Sequence, residues 1–301
     1  MSDIIAKRAG FVSIVGRPNV GKSTLLNTVI GQKIAGVSPK PQTTRQLIRG
    51  ILSDQRGQIV FLDTPGLHKP RDPLGKRMIS NVESSFMDAD LIYFMVSPHA
   101  PGTEERAILE NLKTRNKPIV LVVNKADAVS KPDLLPVLDS YQKLHAFASF
   151  FPISALRNQN VKELLDQTFK MLPEGEPFFP TDIASDQTER FIVSEFVREK
   201  VFRLAGKEVP YATTVQIDQF QERSDKLVAI SATIIVERLS QKRIIIGEGG
   251  KMIKRIGTDA RKDIEEFLGK KVFLELWVKE KENWKNDANF LNELERESGN
   301  G

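Results

Sequence analysis

The segment GRPNVGKS, residues Gly16–Ser23, follows the short apolar run Phe11–Val15 and leads into a stretch with helical periodicity, Lys22–Ile30. A glycine-rich segment that joins a strand to a helix and ends in Lys-Ser is the context that a phosphate-binding loop requires. Such a loop points backbone N–H groups and the N-terminus of the helix at one place, which favours an anion there. The segment therefore predicts an α/β fold with a nucleotide-phosphate site at its first strand-to-helix connection.

Each residue type in this loop has a chemical reason. Gly16 and Gly21 lack the Cβ atom that would keep the backbone from curling around a phosphate. Lys22 would reach the β- and γ-phosphates, and the Ser23 hydroxyl would bind Mg²⁺. The predicted nucleotide contacts also include the other loop residues and the one that follows: Arg17, Pro18, Asn19, Val20 and Thr24.

Apolar runs alternate with helical patterns as far as Leu172, as expected for βαβ units on a largely parallel sheet. We predict one P-loop domain over residues 1–173. The predicted strands are Phe11–Val15, Leu47–Leu52, Ile59–Leu62, Leu91–Val96, Ile119–Val123 and Phe150–Ile153. The predicted helices are Lys22–Ile30, Leu74–Phe86, Glu104–Arg115, Asp133–Phe147 and Val161–Leu172.

The motif NKAD, Asn124–Asp127, follows the fifth apolar run and resembles the guanine-reading motif of small GTPases. The carboxylate of Asp127 would accept from N1–H and the 2-amino group of guanine, whereas adenine would leave that carboxylate unpaired. Asn124 would brace the loop, and the stem of Lys125 would lie over the base. After the sixth run, ISAL resembles the last guanine-contact loop, with Ser154 and Ala155 as predicted contacts.

Two further motifs are expected around the γ-phosphate. In DTPG, Asp63 would hold Mg²⁺ through water, and the amide of Gly66 would meet the γ-phosphate. In PQTTR, Thr44, or alternatively Thr43, would bind Mg²⁺ and the γ-phosphate, in a loop that orders only in the GTP state. The metal set is thus Ser23, Thr44 and Asp63, and the second motif also contributes Thr64, Pro65 and Leu67 as nucleotide contacts.

The predicted catalytic set is Lys22, Thr44, Gly66 and Asn19. Leu67 stands where Ras-like enzymes carry the glutamine that orients the attacking water, and an apolar side chain cannot do this. Either hydrolysis is slow without help, or another group positions the water. Asn19 is a candidate ligand for K⁺, as in P-loops of similar sequence, and K⁺ there could take the role of an arginine finger.

The composition and the hydrophobic periodicity of the sequence change after the first domain. Residues 174–188 are rich in Pro, Gly and acidic residues and predict a linker. Residues 189–285 then follow the predicted order α-β-β-α-α-β, with a helix over Thr188–Leu204, strands near Thr213–Phe220, Lys226–Val236 and Lys271–Val278, a short basic helix either side of GEGG, and a helix over Thr258–Leu268. Residues 286–301 are treated as a polar tail.

A GxxG segment, Gly247–Gly250, lies between two helical patterns in this second domain. The window 242–262 contains seven basic residues against two acidic ones, which equals the net charge of +5 of the whole chain. This resembles a type II KH domain, an α+β fold whose GxxG loop presses against a nucleic-acid backbone. Trp277 is expected in the core rather than as a stacking platform. The predicted RNA contacts are Ile246, Gly247, Glu248, Gly249, Gly250, Lys251, Lys254 and Arg255.

Composition excludes several classes of protein. The 301 residues contain no cysteine, so disulfides and thiolate metal sites are impossible, which fits a reducing cytoplasm. The N-terminus does not resemble a signal peptide, and the longest apolar runs are far shorter than the roughly 20 residues that span a bilayer. The charge and a pI near 9.2 favour an anionic partner.

Taken together, GRPNVGKS, PQTTR, DTPG followed by Leu, NKAD, the acidic linker and RIIIGEGG resemble the Era-like family of bacterial P-loop GTPases with a C-terminal KH domain. The resemblance covers essentially the whole chain. It implies a GTPase that uses GTP or GDP and Mg²⁺, binds the 3′ end of 16S rRNA, and assists assembly of the small (30S) ribosomal subunit and rRNA maturation. It also implies a cytoplasmic monomer, in part peripherally associated with the cell membrane.

Two other functions stay open from the sequence. In one, the chain is an RNA-binding scaffold whose nucleotide only sets its shape. In the other, it is a membrane-associated signalling GTPase whose basic window 242–262 contacts anionic lipid, although the GxxG segment is then unexplained.

Overall fold

The computed structural model describes residues 7–40, 43–66, 72–206 and 208–297. These residues form two compact units. Unit 1 contains residues 7–32, 44–66 and 77–186, and unit 2 contains residues 33–40, 43, 72–76, 187–206 and 208–297. The units therefore differ from the predicted domain limits, because short segments on either side of β2 and β3 group with the C-terminal part of the chain.

A six-stranded sheet forms the centre of unit 1, in the order β2-β3-β1-β4-β5-β6. Its strands are β1 (Arg8–Val15), β2 (Ile48–Asp54), β3 (Gly57–Asp63), β4 (Leu91–Val96), β5 (Ile119–Val123) and β6 (Ser149–Pro152). Neighbouring strands are parallel except for β2 and β3, which only two residues separate and which must therefore run antiparallel. This confirms the predicted, largely parallel α/β sheet.

Helices connect the strands and cover the sheet. They are α1 (Lys22–Ile30), α2 (Pro73–Asp88), α3 (Thr103–Lys113), α4 (Lys131–Gln142) and α5 (Val161–Met171). Val82 and Phe86 of α2, Leu112 of α3 and Tyr141 of α4 pack in one cluster against apolar side chains of the central strands. Because β1, β3, β5 and β6 run in the same direction, the loops that follow them lie at one edge of the sheet. That edge is where the predicted nucleotide motifs stand.

The predicted linker is packed against unit 1 over much of its length. The backbone N–H groups of Phe178 and Phe179 donate to Oε1 of Gln58, at 2.8 and 3.0 Å. Phe179 and Ile183 pack on a small cluster of buried residues from β2 and β3. The apolar residues of this segment cover a sheet face, which its Pro and Gly content does not indicate.

Unit 2 has the helix and strand order predicted for a type II KH domain. Its elements are α6 (Glu189–Leu204), β7 (Thr213–Ser224), β8 (Leu227–Val236), α7 (Leu239–Ile246), α8 (Lys251–Leu268), β9 (Lys271–Glu280) and α9 (Ala288–Glu297). The sheet order is β7-β8-β9, with β8 antiparallel to β7 and parallel to β9. α8 is one continuous helix from the GxxG segment onward, so the predicted start at Thr258 was too late.

Two expectations for the end of the chain were wrong. The region treated as a polar tail contains α9, whose Phe290 and Leu291 are buried in a cluster with Ile235 and Trp284. Trp277, expected in the core, is 58% exposed, and Trp284 is the buried tryptophan. The error at Trp277 arises because a two-residue alternation does not tell which face of β9 is covered. The error at the tail arises because the few apolar residues of α9 stand among polar ones.

No helix in the part of the chain that the structure describes is long and apolar enough to cross a bilayer.

Candidate nucleotide and RNA sites

The loop from Gly16 to Gly21 turns sharply between β1 and α1. Gly21 has a φ of 103°, a left-handed conformation, and a Cβ atom there would collide with the side-chain amide of Asn124. A Cβ atom on Gly16 would collide with the carbonyl oxygen of Met95. Glycine is therefore required at both positions, and Thr24 lies in the first turn of α1.

Lys22 folds back over this loop. Its Nζ donates to the carbonyl oxygens of Gly16 and Arg17, each at 3.1 Å. Burial lowers the pKa of Lys22 to about 8, while the carboxyl group of Asp63 acts in the opposite direction. A phosphate beside this ammonium group would favour its charged form. The side chain of Arg17 points elsewhere, to Glu104 at 2.6 Å and Glu105 at 3.0 Å, so only its backbone faces the loop.

The three predicted metal ligands lie together. The Ser23 hydroxyl donates to Oδ2 of Asp63 at 2.6 Å, and its oxygen lies 2.9 Å from the hydroxyl oxygen of Thr44. Thr44 also reaches Oδ2 of Asp63 at 3.5 Å. The hydroxyl of Thr43 instead donates to the carbonyl oxygen of Lys40 at 2.9 Å. The geometry therefore favours Thr44 over Thr43 as the Mg²⁺ ligand.

Asp63 has the environment expected of a group that holds a cation. Its Oδ1 atom is buried and has no hydrogen-bond partner among the described residues. Burial raises the pKa of Asp63 to about 6, against the effects of Lys22, Ser23 and Thr44. A carboxylate and two hydroxyls are oxygen donors of the kind that Mg²⁺ prefers. These residues fit the ion.

The DTPG loop passes close to the phosphate loop. The hydroxyl of Thr64 donates to the carbonyl oxygen of Ile14 at 2.8 Å, which fixes the start of the loop at the end of β1. A Cβ atom on Gly66 would lie 2.8 Å from Cγ of Pro18, so glycine permits the close approach. Pro65 is also buried. Leu67, a predicted nucleotide contact, lies outside the described residues.

Asn124 joins three loops at the base side of the site. Its Nδ2 donates to the carbonyl oxygen of Val20 at 2.8 Å, and its Oδ1 accepts from the N–H of Ala155 at 2.9 Å. The residue is 3% exposed. Lys125 has a left-handed φ of 63°, and its Nζ donates to the carbonyl oxygen of Asn19 at 2.8 Å. The bracing role predicted for Asn124 has this geometric basis.

Asp127 lies at the rim, where a base could reach it. A hydrogen bond from Ser154 lowers the pKa of Asp127, and the charge of Arg157 acts in the same direction. Nε of Arg157 lies 3.1 Å from Oδ2 of Asp127. The carboxylate is therefore charged at neutral pH and able to accept from two donors.

The GxxG loop of unit 2 is an open turn between α7 and α8. Gly247, Gly249 and Gly250 have φ values of 72°, 57° and 76°. A Cβ atom on Gly247 would lie 2.7 Å from Cβ of Met252, whereas no described residue lies within 4 Å of such an atom on Gly249 or Gly250. The loop tip is thus free of side chains on its outer side. Ile246 is partly buried at the end of α7, and the exposed residues around the turn are Glu248, Lys251, Lys254 and Arg255.

A groove lies next to this loop, between α8 and β9. Its apolar wall is formed by Ile253, Leu274 and Leu276, and its rim includes Lys254 and Arg261. Gly257 permits the close packing of α8 on β9, because a Cβ atom there would lie only 3.3 Å from Cδ1 of Leu276. The arrangement matches an open turn for a phosphate backbone beside an apolar surface for bases.

Comparison with known proteins agrees with this division. A family model described as 50S ribosome-binding GTPase matches residues 11–125, and a KH domain model matches residues 208–285. The GTPase Era of Trichlorobacter lovleyi is 50% identical over 295 residues, which cover 98% of this chain and 99% of that protein. The chain belongs to the Era family of GTPases.

Further Era proteins match this chain over nearly its full length. The GTPase Era of Ruminiclostridium cellulolyticum is 46% identical, with 95% of this chain and 97% of that protein covered. A crystal structure of Era in complex with MgGDPNP and nucleotides 1506–1542 of 16S ribosomal RNA has a TM-score of 0.92 at 39% identity, and the match covers 98% of this chain and 99% of that one. The fold, the GTPase activity and the use of GTP or GDP with Mg²⁺ are thereby confirmed.

Several residues of this Era-family site were missed from the sequence. Arg157 contacts the predicted base-reading carboxylate, and its position directly after the SAL motif is the signal that could have indicated it. Ile253, Gly257 and Arg261 line the groove, and they recur on one side of α8 at helical spacing.

Proposed function

We propose that this Era-family GTPase binds the 3′ end of 16S ribosomal RNA through its KH unit under the control of GTP. We further propose that it assists assembly of the small ribosomal subunit and maturation of its rRNA. The supporting observation is the likeness, along nearly the full chain, to an Era protein crystallised with MgGDPNP and nucleotides 1506–1542 of that RNA.

The nucleotide side of the proposal assigns roles to residues that already lie together. Ser23, Thr44 and Asp63 would hold Mg²⁺, which when bound neutralises charge on the β- and γ-phosphates. Lys22 would exchange its bonds to the loop carbonyls for bonds to phosphate oxygens. The N–H of Gly66 would donate to the γ-phosphate. Loss of that phosphate on hydrolysis would then release the segments that carry Thr44 and Gly66.

The motifs of the nucleotide site do not include a glutamine that would orient the water attacking the γ-phosphate. The DTPG motif is followed by leucine rather than glutamine, so we expect slow intrinsic turnover. Asn19, whose backbone has a left-handed φ of 64°, is the proposed K⁺ ligand. Hydrolysis should be faster in KCl than in NaCl at equal ionic strength. Asn19→Gly keeps this backbone accessible and removes the side chain, so it should abolish the difference; an unchanged K⁺ effect would reject Asn19.

The RNA side of the proposal uses the open turn. Backbone at Gly249 and Gly250 would contact the RNA backbone directly, because no side chain intervenes. Lys251, Lys254 and Arg255, all exposed, would meet phosphates and make the affinity fall with salt.

The proposal is tested by measuring RNA affinity and hydrolysis on the same protein. We expect tighter binding to an RNA from the 3′ end of 16S rRNA with GDPNP than with GDP, and faster single-turnover GTP hydrolysis when this RNA is present. Lys22→Ala should lose nucleotide binding and keep a folded KH unit. Equal RNA affinity in both nucleotide states would contradict GTP control.

Two other outcomes would change the assignment. RNA binding without any stimulation of hydrolysis would favour a scaffold in which turnover is incidental. Binding to vesicles of anionic lipid that competes with RNA would favour the membrane-associated alternative. We propose a cytoplasmic location with peripheral membrane contact, and flotation with anionic and neutral vesicles would test the contact.

A further inference from the structure

The face of the KH sheet that points away from the groove carries two exposed aromatic rings. Side chains alternate along β9, so Leu274 and Leu276 line the groove while Phe273 and Trp277 lie on the opposite face. Each of the two rings is 58% exposed. Neither ring is part of the buried core of unit 2, so core packing does not account for them.

This aromatic face adjoins the groove. In the sheet order β7-β8-β9, β9 is one of the two edge strands, with no further strand beside it in the part of the chain that the structure describes, and the groove and the aromatic face are its two sides. A nucleic-acid strand that occupies the groove can therefore cross the open edge of β9 and continue onto the aromatic face. A GxxG loop clamps about four nucleotides, so a longer RNA must contact another surface or leave the protein.

The neighbours of Trp277 on this face are polar, whereas Phe273 is paired with the small apolar residue Ala229. In the register of β8 and β9, Glu275 is paired with Ser231 and Trp277 with Thr233. The Thr233 hydroxyl donates to Oδ2 of Asp218 at 2.8 Å. Protein interfaces have an apolar core, whereas single-stranded bases stack on separate aromatic rings beside cationic groups. The face of β9 that carries Phe273 and Trp277 has separate aromatic rings and no apolar core of this kind.

Charges on the same face are arranged along the strand. Lys271 and Lys279 are exposed at its two ends, and Lys271 also lies 3.4 Å from Glu265. Glu275 lies between the rings, so phosphates would be repelled there and base edges would face it. Cations at both ends with rings between them suit a strand whose phosphates are held at the ends.

We propose that Phe273 and Trp277 form a second contact surface for single-stranded RNA, continuous with the groove across the edge of β9. The rings are four residues apart, about 13 Å at the rise of a strand, so each would stack on a separate base. This inference rests on the proposed RNA-binding function and extends it to a longer target.

The first test compares RNAs of two lengths from the 3′ end of 16S rRNA, with the full-length protein loaded with GDPNP. Trp277→Ala should leave the affinity for a four-nucleotide RNA unchanged. It should lower the affinity for an RNA of about three times that length by about tenfold or more. Trp277→Phe retains an aromatic ring and should recover most of this loss. Phe273→Ala is the second, independent variant and should show the same length dependence.

The second test reads the contact directly. The chain has two tryptophans, and Trp284 is 1% exposed, so iodide should quench mainly Trp277. The longer RNA should quench the emission of Trp277 and shield its ring from iodide. The four-nucleotide RNA should have neither effect. GTP affinity and circular dichroism of each variant would show that the fold is retained.

Two results would overturn the proposal. Full affinity of Trp277→Ala and of Phe273→Ala for the longer RNA would show that the rings do not contact it, as would be found if this face binds a protein. If iodide quenched Trp277 equally well with and without the longer RNA bound, the same conclusion would follow. Failure of the wild-type protein to bind either RNA would instead reject the proposed function.

Discussion

The side-chain amide of Asn124 donates to the backbone carbonyl oxygen of Val20 at 2.8 Å and so ties the NKAD motif to the phosphate loop. The other end of the same amide accepts from the N–H of Ala155. One buried side chain thus fixes the phosphate loop relative to both loops that would contact the base. The site for the base and the site for the phosphates are one rigid arrangement.

Asn124→Ala should weaken GDP binding by tenfold or more and lower stability. The substitution leaves the carbonyl of Val20 and the N–H of Ala155 without their partner, and each such buried group costs about 1–3 kcal/mol. GDP titration and urea unfolding would measure both effects. Asn111→Ala is the matched control, because Oδ1 of Asn111 accepts an exposed hydrogen bond from Arg115. Unchanged GDP affinity in Asn124→Ala would show that the loops hold their positions without it.

Asp127→Asn should move the base preference from guanine toward xanthine. The amide that replaces the carboxylate can donate to the 2-oxo group of xanthine but no longer accepts from two guanine donors. Competition between GDP and xanthosine diphosphate would measure the change. Asp139→Asn, which alters an exposed ion pair between Asp139 of α4 and Lys143 directly after that helix, is the control. A retained guanine preference would contradict the base-reading role.

Thr44→Ala and Thr43→Ala should differ although the residues are neighbours. The hydroxyl oxygen of Thr44 lies 2.9 Å from that of Ser23, whereas the hydroxyl of Thr43 donates a hydrogen bond to the carbonyl oxygen of Lys40. Thr44→Ala should therefore raise the Mg²⁺ concentration needed for GDPNP binding and slow hydrolysis, and Thr43→Ala should have little effect. Magnesium titrations of GDPNP affinity would decide, and the opposite ranking would move the ligand to Thr43.

Arg198→Met should destabilise the protein by about 3–5 kcal/mol, because it leaves the charge of Glu195 buried and unpaired. Arg198 is 2% exposed, pairs with Glu195 and donates to the carbonyl oxygen of Thr43, all within unit 2. Urea unfolding would measure the loss. Adding Glu195→Gln to Arg198→Met should recover part of it, and equal stability of the wild type and Arg198→Met would show that the pair is dispensable.

Local motifs could be predicted because each loop carries its own chemistry. Lys22, Asp63 and Asp127 occur in short segments whose spacing alone indicates their roles, and the alternation of strands and helices indicates the sheet edge where they meet. Contacts between distant segments could not be predicted in this way. The packing of Phe179 on β2 and β3 and the exposure of Trp277 depend on which faces other elements cover, and composition does not encode this.

Gly249→Asp should weaken RNA binding without changing GTP affinity. Gly249 has a φ of 57°, which aspartate and asparagine tolerate better than most residues, and none of the residues that the structure describes lies within 4 Å of a Cβ atom there. The fold should therefore survive while a negative charge meets the RNA backbone. Gly249→Asn adds nearly the same volume without charge, so it should lose less affinity. The extra loss of affinity in Gly249→Asp relative to Gly249→Asn should shrink in high salt. Filter binding across a salt series would measure both variants. Equal RNA affinity for Gly249→Asp and the wild type would exclude the turn as the place where unit 2 contacts RNA.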